Sequence, residues 1–274
     1  MSGRRSFFAC RYSFPNIAMP RPRRPVWYLV CALAVALGAP TIATPAFADL
    51  VRIAVASNFN EPAREISRLF EQATGHTVSM STGSTGQLYA QITQDAPFEV
   101  FLAADQLRPE AAVAEGYAVD GTRFTYATGR LALFSTQPAL VRDASTLHTT
   151  SFTRIAIANP ATAPYGAAAV AVLKALGVYA AVEARIVYGS NIAQTFQFVA
   201  TNNAELGFVA LSQIAGHRRG SRWVVPQDLH PPIAQDAVLL QRGASSDAAR
   251  AFVAFLQGPQ AAAVKARYGY DHID

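Results

Sequence analysis

Four short segments of this chain carry the polar groups best suited to holding a small ligand: Ser57-Asn58, Gly83-Ser84-Thr85-Gly86, Pro164-Tyr165-Gly166 and Ser190-Asn191. In each, an apolar strand-like run gives way to small or hydroxyl residues and then to a helical pattern. In an open α/β sheet, ligands bind beyond the carboxyl ends of the strands. A helix that starts there offers free N–H groups and the positive end of the peptide dipole. Anions bind such places without a full positive charge, and Ser, Thr, Asn and Tyr side chains add neutral donors. The same residues also have a structural use. Ser57 or Asn58 can cap the first helix, Ser84 the second and Asn191 its own, and Tyr165 can serve as a half-buried aromatic. A capping hydroxyl can also face a ligand. None of the four segments contains a charged side chain. Binders of amino acids or peptides normally set a charge against each ligand charge, so the pattern favours an oxyanion.

The elements that must position these segments alternate between strand and helix. Val51–Ala56 reads as a strand, followed by a helix entered near Pro62, carrying Ile66, Leu69, Phe70 and Ala73, and ended by Gly75. Thr77–Ser81 is a second strand, the next helix carries Leu88 and Ile92, and Glu99–Ala103 is a third strand. A helix beginning at Pro109 stops at Gly116. A new stretch opens near Thr128, with strands predicted at 130–135, 155–158, 185–188 and 207–210. Helices are predicted from the Tyr165 turn to Leu176 and from Ile192 to Asn202. Residues 233–240 are strand-like, and helices over 247–257 and 259–267 close the chain, separated by Gly258. This alternation predicts an α/β fold with mostly parallel sheets flanked by helices. Two lobes result if the chain crosses between them near Thr128 and near Gln235. Residues 49–127 plus 236–274 then form lobe 1, and residues 128–235 form lobe 2.

The N-terminus reads differently. Arg21, Arg23 and Arg24 precede an apolar run over 26–39, too short for a span of about 20 residues, and Ala46-Phe47-Ala48 follows. This predicts a secretory signal peptide over residues 1–48, cleaved near Ala48, with Met19 an alternative start. Both cysteines, Cys10 and Cys31, lie within it, so the exported part is expected to have neither thiol nor disulfide. Six of the 23 basic residues and no acidic ones also lie there, leaving 17 basic against 18 acidic residues. The net charge of +5 therefore belongs to the leader, and no nucleic-acid partner is expected.

Catalytic signatures are missing. His76, His148, His217, His230 and His272 fall in no metal-binding spacing, and Gly83–Gly86 lacks the lysine of a phosphate-binding loop. No G-x-S-x-G elbow occurs. Glu99 and Asp105 flank a strand in a way that suits surface or capping roles. Neither catalysis nor a cofactor is expected.

Five stretches occur in a telling order: Ala56-Ser57-Asn58-Phe59, Gly83-Ser84-Thr85-Gly86-Gln87-Leu88-Tyr89, Ala96-Pro97-Phe98-Glu99-Val100-Phe101, Ala158-Asn159-Pro160 with Ala163-Pro164-Tyr165-Gly166, and Ala204-Glu205-Leu206-Gly207-Phe208-Val209. With the ending Leu256-Gln257-Gly258-Pro259, this order resembles the periplasmic molybdate-binding proteins of ABC importers. The resemblance implies a two-lobed periplasmic-binding-protein-like fold of type II, with molybdate, and tungstate too, in the interlobe cleft. It places ligand contacts on Ser57 with Asn58 beside it, on Thr85 with its neighbour Ser84, on Tyr165, and on the backbone of Ile192. Some relatives add a tyrosine hydroxyl where this chain has Val209-Ala210-Leu211, so that donor is missing and Tyr165 is expected to replace it. The resemblance further implies a monomeric periplasmic receptor with an ABC permease as its membrane partner. Thiosulfate, sulfate or phosphonate is the alternative ligand by residue chemistry.

Overall fold

The computed structural model describes residues 48–271 and Ser13, and the expected leader lies outside the described residues apart from Ser13 and Ala48. Strand β1 (Leu50–Ala56) enters a 3-10 turn, Ser57–Phe59, and then α1 (Asn60–Thr74), which Gly75 ends in the left-handed conformation, at φ 77°. Glycine adopts that conformation without the Cβ penalty. The chain continues through β2 (Thr77–Gly83), α2 (Thr85–Thr93), β3 (Val100–Leu102), α3 (Leu107–Ala114) and β4 (Phe124–Gly129). After β5 (Leu131–Ser135) come β6 (Ile155–Ala158), α4 (Pro164–Ala175), the four-residue α5 (Tyr179–Val182), β7 (Ile186–Gly189) and α6 (Ile192–Ala200). Then follow β8 (Leu206–Ala210), α7 (Leu211–Ile214), β9 (Ser221–Val224), β10 (Ile233–Leu239), α8 (Asp247–Gln257) and α9 (Pro259–Arg267).

The strands form two five-stranded sheets, ordered β2-β1-β3-β10-β4 and β7-β6-β8-β5-β9. In the first, β2, β1 and β3 pair in parallel, while β10 runs antiparallel to both β3 and β4. In the second, β7, β6 and β8 are parallel, and β5 is antiparallel to β8 and β9. Each sheet thus has four strands in one direction and one reversed strand. The chain crosses between sheets at Arg130 and again between Val224 and Ile233. Strands β4 and β10 both stay with the first sheet past the boundaries expected at 127/128 and 235/236. Their pairing runs from Ile233↔Gly129 through Gln235↔Ala127, and the ladder continues across those positions.

Alternation along the strands sorts side chains to the two faces. From β1, Val51, Ile53 and Val55 pack with Phe59, Ile66, Phe70, Phe252 and Leu256. Ala54 faces the other way, with Phe101, Leu88 and Ile92. In the second sheet, Leu131, Leu133, Ile155, Ile157 and Phe208 pack against Ala169, Val172 and Leu173 of α4. Ala132, Phe134 and Val209 pack against Val199 and Ile214. With helices over both faces, apolar burial fixes each sheet, and the polar turns are left at the strand ends.

Candidate functional site

Two turns of the first lobe and two of the second converge on one pocket. Its walls are Ala56, Ser57, Asn58, Gly83, Ser84, Thr85, Ala104, Ala163, Pro164, Tyr165 and Ile192. All six residues expected to contact a ligand are among them and are buried, at 1–6% exposure. The pocket holds about 190 Å3 of empty space including its mouth. That is below the roughly 300 Å3 at which sites for larger organic ligands begin. A wider hollow, with about 860 Å3 of empty space, borders Leu107, Pro160 and Pro231, but it gathers only the starts of α3 and α4.

On the first lobe, Ser57 and Asn58 occupy the 3-10 turn ahead of α1, and neither caps that helix through its side chain. Ser84 does cap α2. Its Oγ accepts from Gln87 N at 3.4 Å, and Gln87 Oε1 accepts from Ser84 N at 3.4 Å, a complete capping box. Thr85 Oγ1 accepts from Ala104 N at 3.0 Å. A hydroxyl that accepts from the backbone keeps its own proton to donate.

On the second lobe, α4 starts at Pro164, which has no N–H. Gly166 N and Ala167 N both donate to Ala163 O, at 2.9 and 3.1 Å. The first turn therefore presents the Tyr165 N–H. Asn191 caps α6 by accepting from Gln194 N at 3.0 Å, which leaves Ile192 as the first residue of that helix. Ser190 and Asn191 lie outside the pocket wall, and the fourth segment reaches it through Ile192. No wall residue carries a formal charge. Four helix starts aimed at one small space give it a positive potential, each equivalent to about half an elementary charge.

A polar network extends from the pocket into the interlobe interior. Asn58 Nδ2 donates to Gln235 Oε1 at 2.8 Å and to Tyr270 Oη at 3.0 Å. Tyr126 Oη donates to Gln235 Oε1 at 3.0 Å, and Gln235 Nε2 donates to Tyr165 Oη at 3.2 Å. Ser212 Oγ and Tyr270 Oη both donate to Asn58 O, at 2.8 and 2.9 Å. Burial pushes the Tyr165 and Tyr126 phenols well above their ordinary range, with the neighbouring Tyr270 adding to both shifts. Burial pushes Tyr270 up as well. These hydroxyls keep their protons at neutral pH. The Asn58 amide is thus turned toward the network.

Sequence reading missed Gln235, Tyr270, Ser212 and Tyr126. One signal was present: Gln235-Asp236 is a polar pair inside the otherwise apolar run from Ile233 to Leu240. Both are buried at or below 1% exposure. Asp236 is satisfied on the far side by Thr125 Oγ1, Arg123 Nη1 and Gln106 Nε2. Among the described residues, no group of three or more His, Cys, Asp or Glu side chains could hold a metal ion.

Two five-stranded lobes, crossed twice by the chain and closed on a small pocket ringed by helix starts, define a solute receptor of the type II periplasmic-binding-protein architecture. The chain belongs to the bacterial extracellular solute-binding protein family, whose sequence profile matches residues 51–271. It is 53% identical over 239 residues to the molybdate-binding protein ModA of Rhodobacter capsulatus, spanning 87% of this chain and 94% of that protein. It is 52% identical over 242 residues to ModA of Azotobacter vinelandii, spanning 87% and 96%. Among solved structures, the Azotobacter vinelandii periplasmic molybdate-binding protein matches with a TM-score of 0.79 at 38% identity, covering 82% of this chain and 100% of that one.

Proposed function

We propose that this protein is the substrate-binding component of an ABC importer that captures molybdate, and tungstate too, in the periplasm. The observation that carries the reading is the pocket itself: small, buried, free of formal charge and ringed by four helix starts. Molybdate is a compact tetrahedral dianion. Hydroxyls of Ser57, Ser84 and Thr85, the backbone of Asn58 and Ile192, and Tyr165 supply neutral donors. No lysine or arginine has to be buried, which would be expensive unless paired. An amino acid or peptide would leave its ammonium group without an acidic partner on the wall. The identity to molybdate-binding relatives supports the same ligand.

Donors come from both lobes, so the anion favours the closed state over an open one that offers only half of them. The closed form docks on the membrane permease and delivers its ion. The protein acts as a monomer, needs no cofactor and performs no catalysis. The leader over residues 1–48 directs export.

The test is a thermal-shift titration of purified protein, freed of bound anion by unfolding and refolding, with molybdate, tungstate, sulfate, phosphate and thiosulfate. Ligand at 1,000 times its dissociation constant stabilises by about 4 kcal/mol. For a chain of this size that raises the melting midpoint by on the order of 10 °C. Shifts with molybdate and tungstate but none with millimolar sulfate are expected. A shift confined to sulfate, thiosulfate or phosphate would keep the receptor and change its solute.

A further inference from the structure

We propose that Gln235 is a positioning residue that fixes the Tyr165 hydroxyl as a proton donor to the bound anion and thereby selects fully deprotonated oxyanions. The proposal rests on the oxyanion reading of the pocket. Gln235 is completely buried and lies on β10, where the register with β4 shifts between Gln235 and Asp236. An amide oxygen has two lone pairs. Asn58 Nδ2 donates to one at 2.8 Å, and Tyr126 Oη lies 3.0 Å from the oxygen, its single proton shared between Gln235 Oε1 and Ala103 O, also 3.0 Å away. The amide therefore cannot turn over without setting its N–H2 against the Asn58 N–H2. Its Nε2 is held toward Tyr165 Oη, 3.2 Å away.

A phenol that accepts from Gln235 has its single proton left to give. Without an anion that proton can rest on Tyr270 Oη beside it, which accepts from Asn58 Nδ2 and keeps a second lone pair, whereas a bound oxyanion is the stronger acceptor. Tyr165 lines the anion pocket, so in the loaded protein its proton goes to an anion oxygen. Gly129 makes the pairing possible, because a Cβ there would overlap both Tyr165 Oη and Gln235 Nε2. With Tyr165 locked as a donor, one fewer group on the wall can accept, which suits molybdate. Hydrogen arsenate, a dianion of similar shape that still carries a proton, loses that acceptor and must turn a serine or threonine hydroxyl to it, at the expense of a donor.

The experiment is a double-mutant cycle on the full-length exported protein, using Gln235→Met, Tyr165→Phe and the pair, read by calorimetric titration with molybdate and hydrogen arsenate. Gln235→Met is expected to fold, since Asn58 Nδ2 and Tyr126 Oη each retain a second partner, Tyr270 Oη and Ala103 O. Gln235→Met alone weakens molybdate binding about tenfold, but by less than about twofold in the Tyr165→Phe background. It also narrows the preference for molybdate over hydrogen arsenate, because the freed phenol can now accept. Equal losses in both backgrounds with an unchanged preference overturn the proposal. If Gln235→Met does not fold, Gln235→Glu keeps the shape and an oxygen to accept from Asn58 but removes the N–H2 that donates to Tyr165, and its loss must likewise shrink in Tyr165→Phe. Failure of the wild-type protein to bind molybdate at all would instead remove the oxyanion reading, and this proposal with it.

Discussion

Replacing Gly86 with alanine should weaken ligand binding while leaving the ligand-free protein as stable as before, or slightly more so. Gly86 lies in the first turn of α2 on the first lobe, and its N–H donates to Thr162 O on the second lobe at 2.9 Å. An added Cβ would sit 3.1 Å from Thr162 Cα, 3.2 Å from its Cβ and 3.2 Å from its O. Carbon atoms pack best at about 3.5–4.0 Å, so the lobes would have to part by a few tenths of an ångström. Overpacking of this order costs about 1–2 kcal/mol, and here it falls on the closed state alone. Within the first lobe the same change removes a helical glycine, worth roughly 0.5–1 kcal/mol in favour of the variant. Apparent affinity scales with the fraction of closed, competent protein, so the dissociation constant for molybdate should rise about 5- to 30-fold. Calorimetric titration measures the first effect, and thermal melting without ligand measures the second. An unchanged dissociation constant would mean that Gly86 and Thr162 do not meet in the loaded protein. A lower ligand-free melting point would place the strain inside one lobe. Either result would refute the reasoning.

Thr85→Val keeps the shape but leaves the Ala104 N–H without its acceptor, so stability should fall by about 1–3 kcal/mol in urea titrations. Molybdate affinity should drop about tenfold or more with the lost charge-assisted donor. Gly166→Ala sets a Cβ against Ala158 O and within 2.7 Å of Ala158 C, backbone that cannot rotate away. A loss above about 3 kcal/mol is expected, and a melting point within a few degrees of wild type would contradict it. Tyr126, Tyr165 and Tyr270 have folded pKa values raised by burial. Above about pH 10 the unfolded chain sheds three protons that the folded chain keeps. Stability is therefore complete below that pH and falls as pH rises toward the folded values, by up to about 4 kcal/mol per unit, and Tyr165→Phe should remove about a third of that slope.

What could be read from the sequence was local. The helices over 247–257 and 259–267 were legible because their punctuation is strong: Ser246 caps α8 by accepting from Ala249 N at 3.1 Å, and Gly258-Pro259 separates it from α9. The strand over 155–158 is four buried apolar residues ending in a turn. Strand β4 was not legible, because Phe-Thr-Tyr-Ala-Thr-Gly is half-exposed and gives no clean alternation. The four-residue β9, α5 and α7 are too short for any periodicity to register. The pocket wall was legible for the same local reason, since each contributor follows a strand and opens a helix or turn. The network from Asn58 to Gln235 and Tyr270 spans separations of 177 and 212 residues. Only tertiary packing brings those groups together.

The distribution of donors also explains why a charge-free site suits a receptor that must release its ion. Four helix starts at about half a charge each amount to roughly two positive charges facing a dianion. They are fixed in the backbone and need no counter-charge when the pocket is empty. Two lie on each lobe: the turn leading into α1 and the start of α2 on the first, the starts of α4 and α6 on the second. Opening the lobes therefore withdraws about half of the favourable field in one movement and lets water reach the rest. A buried lysine on either lobe would instead travel with the ion and keep holding it. Affinity here depends on closure, and a partner that pries the lobes apart releases the anion without breaking an ion pair.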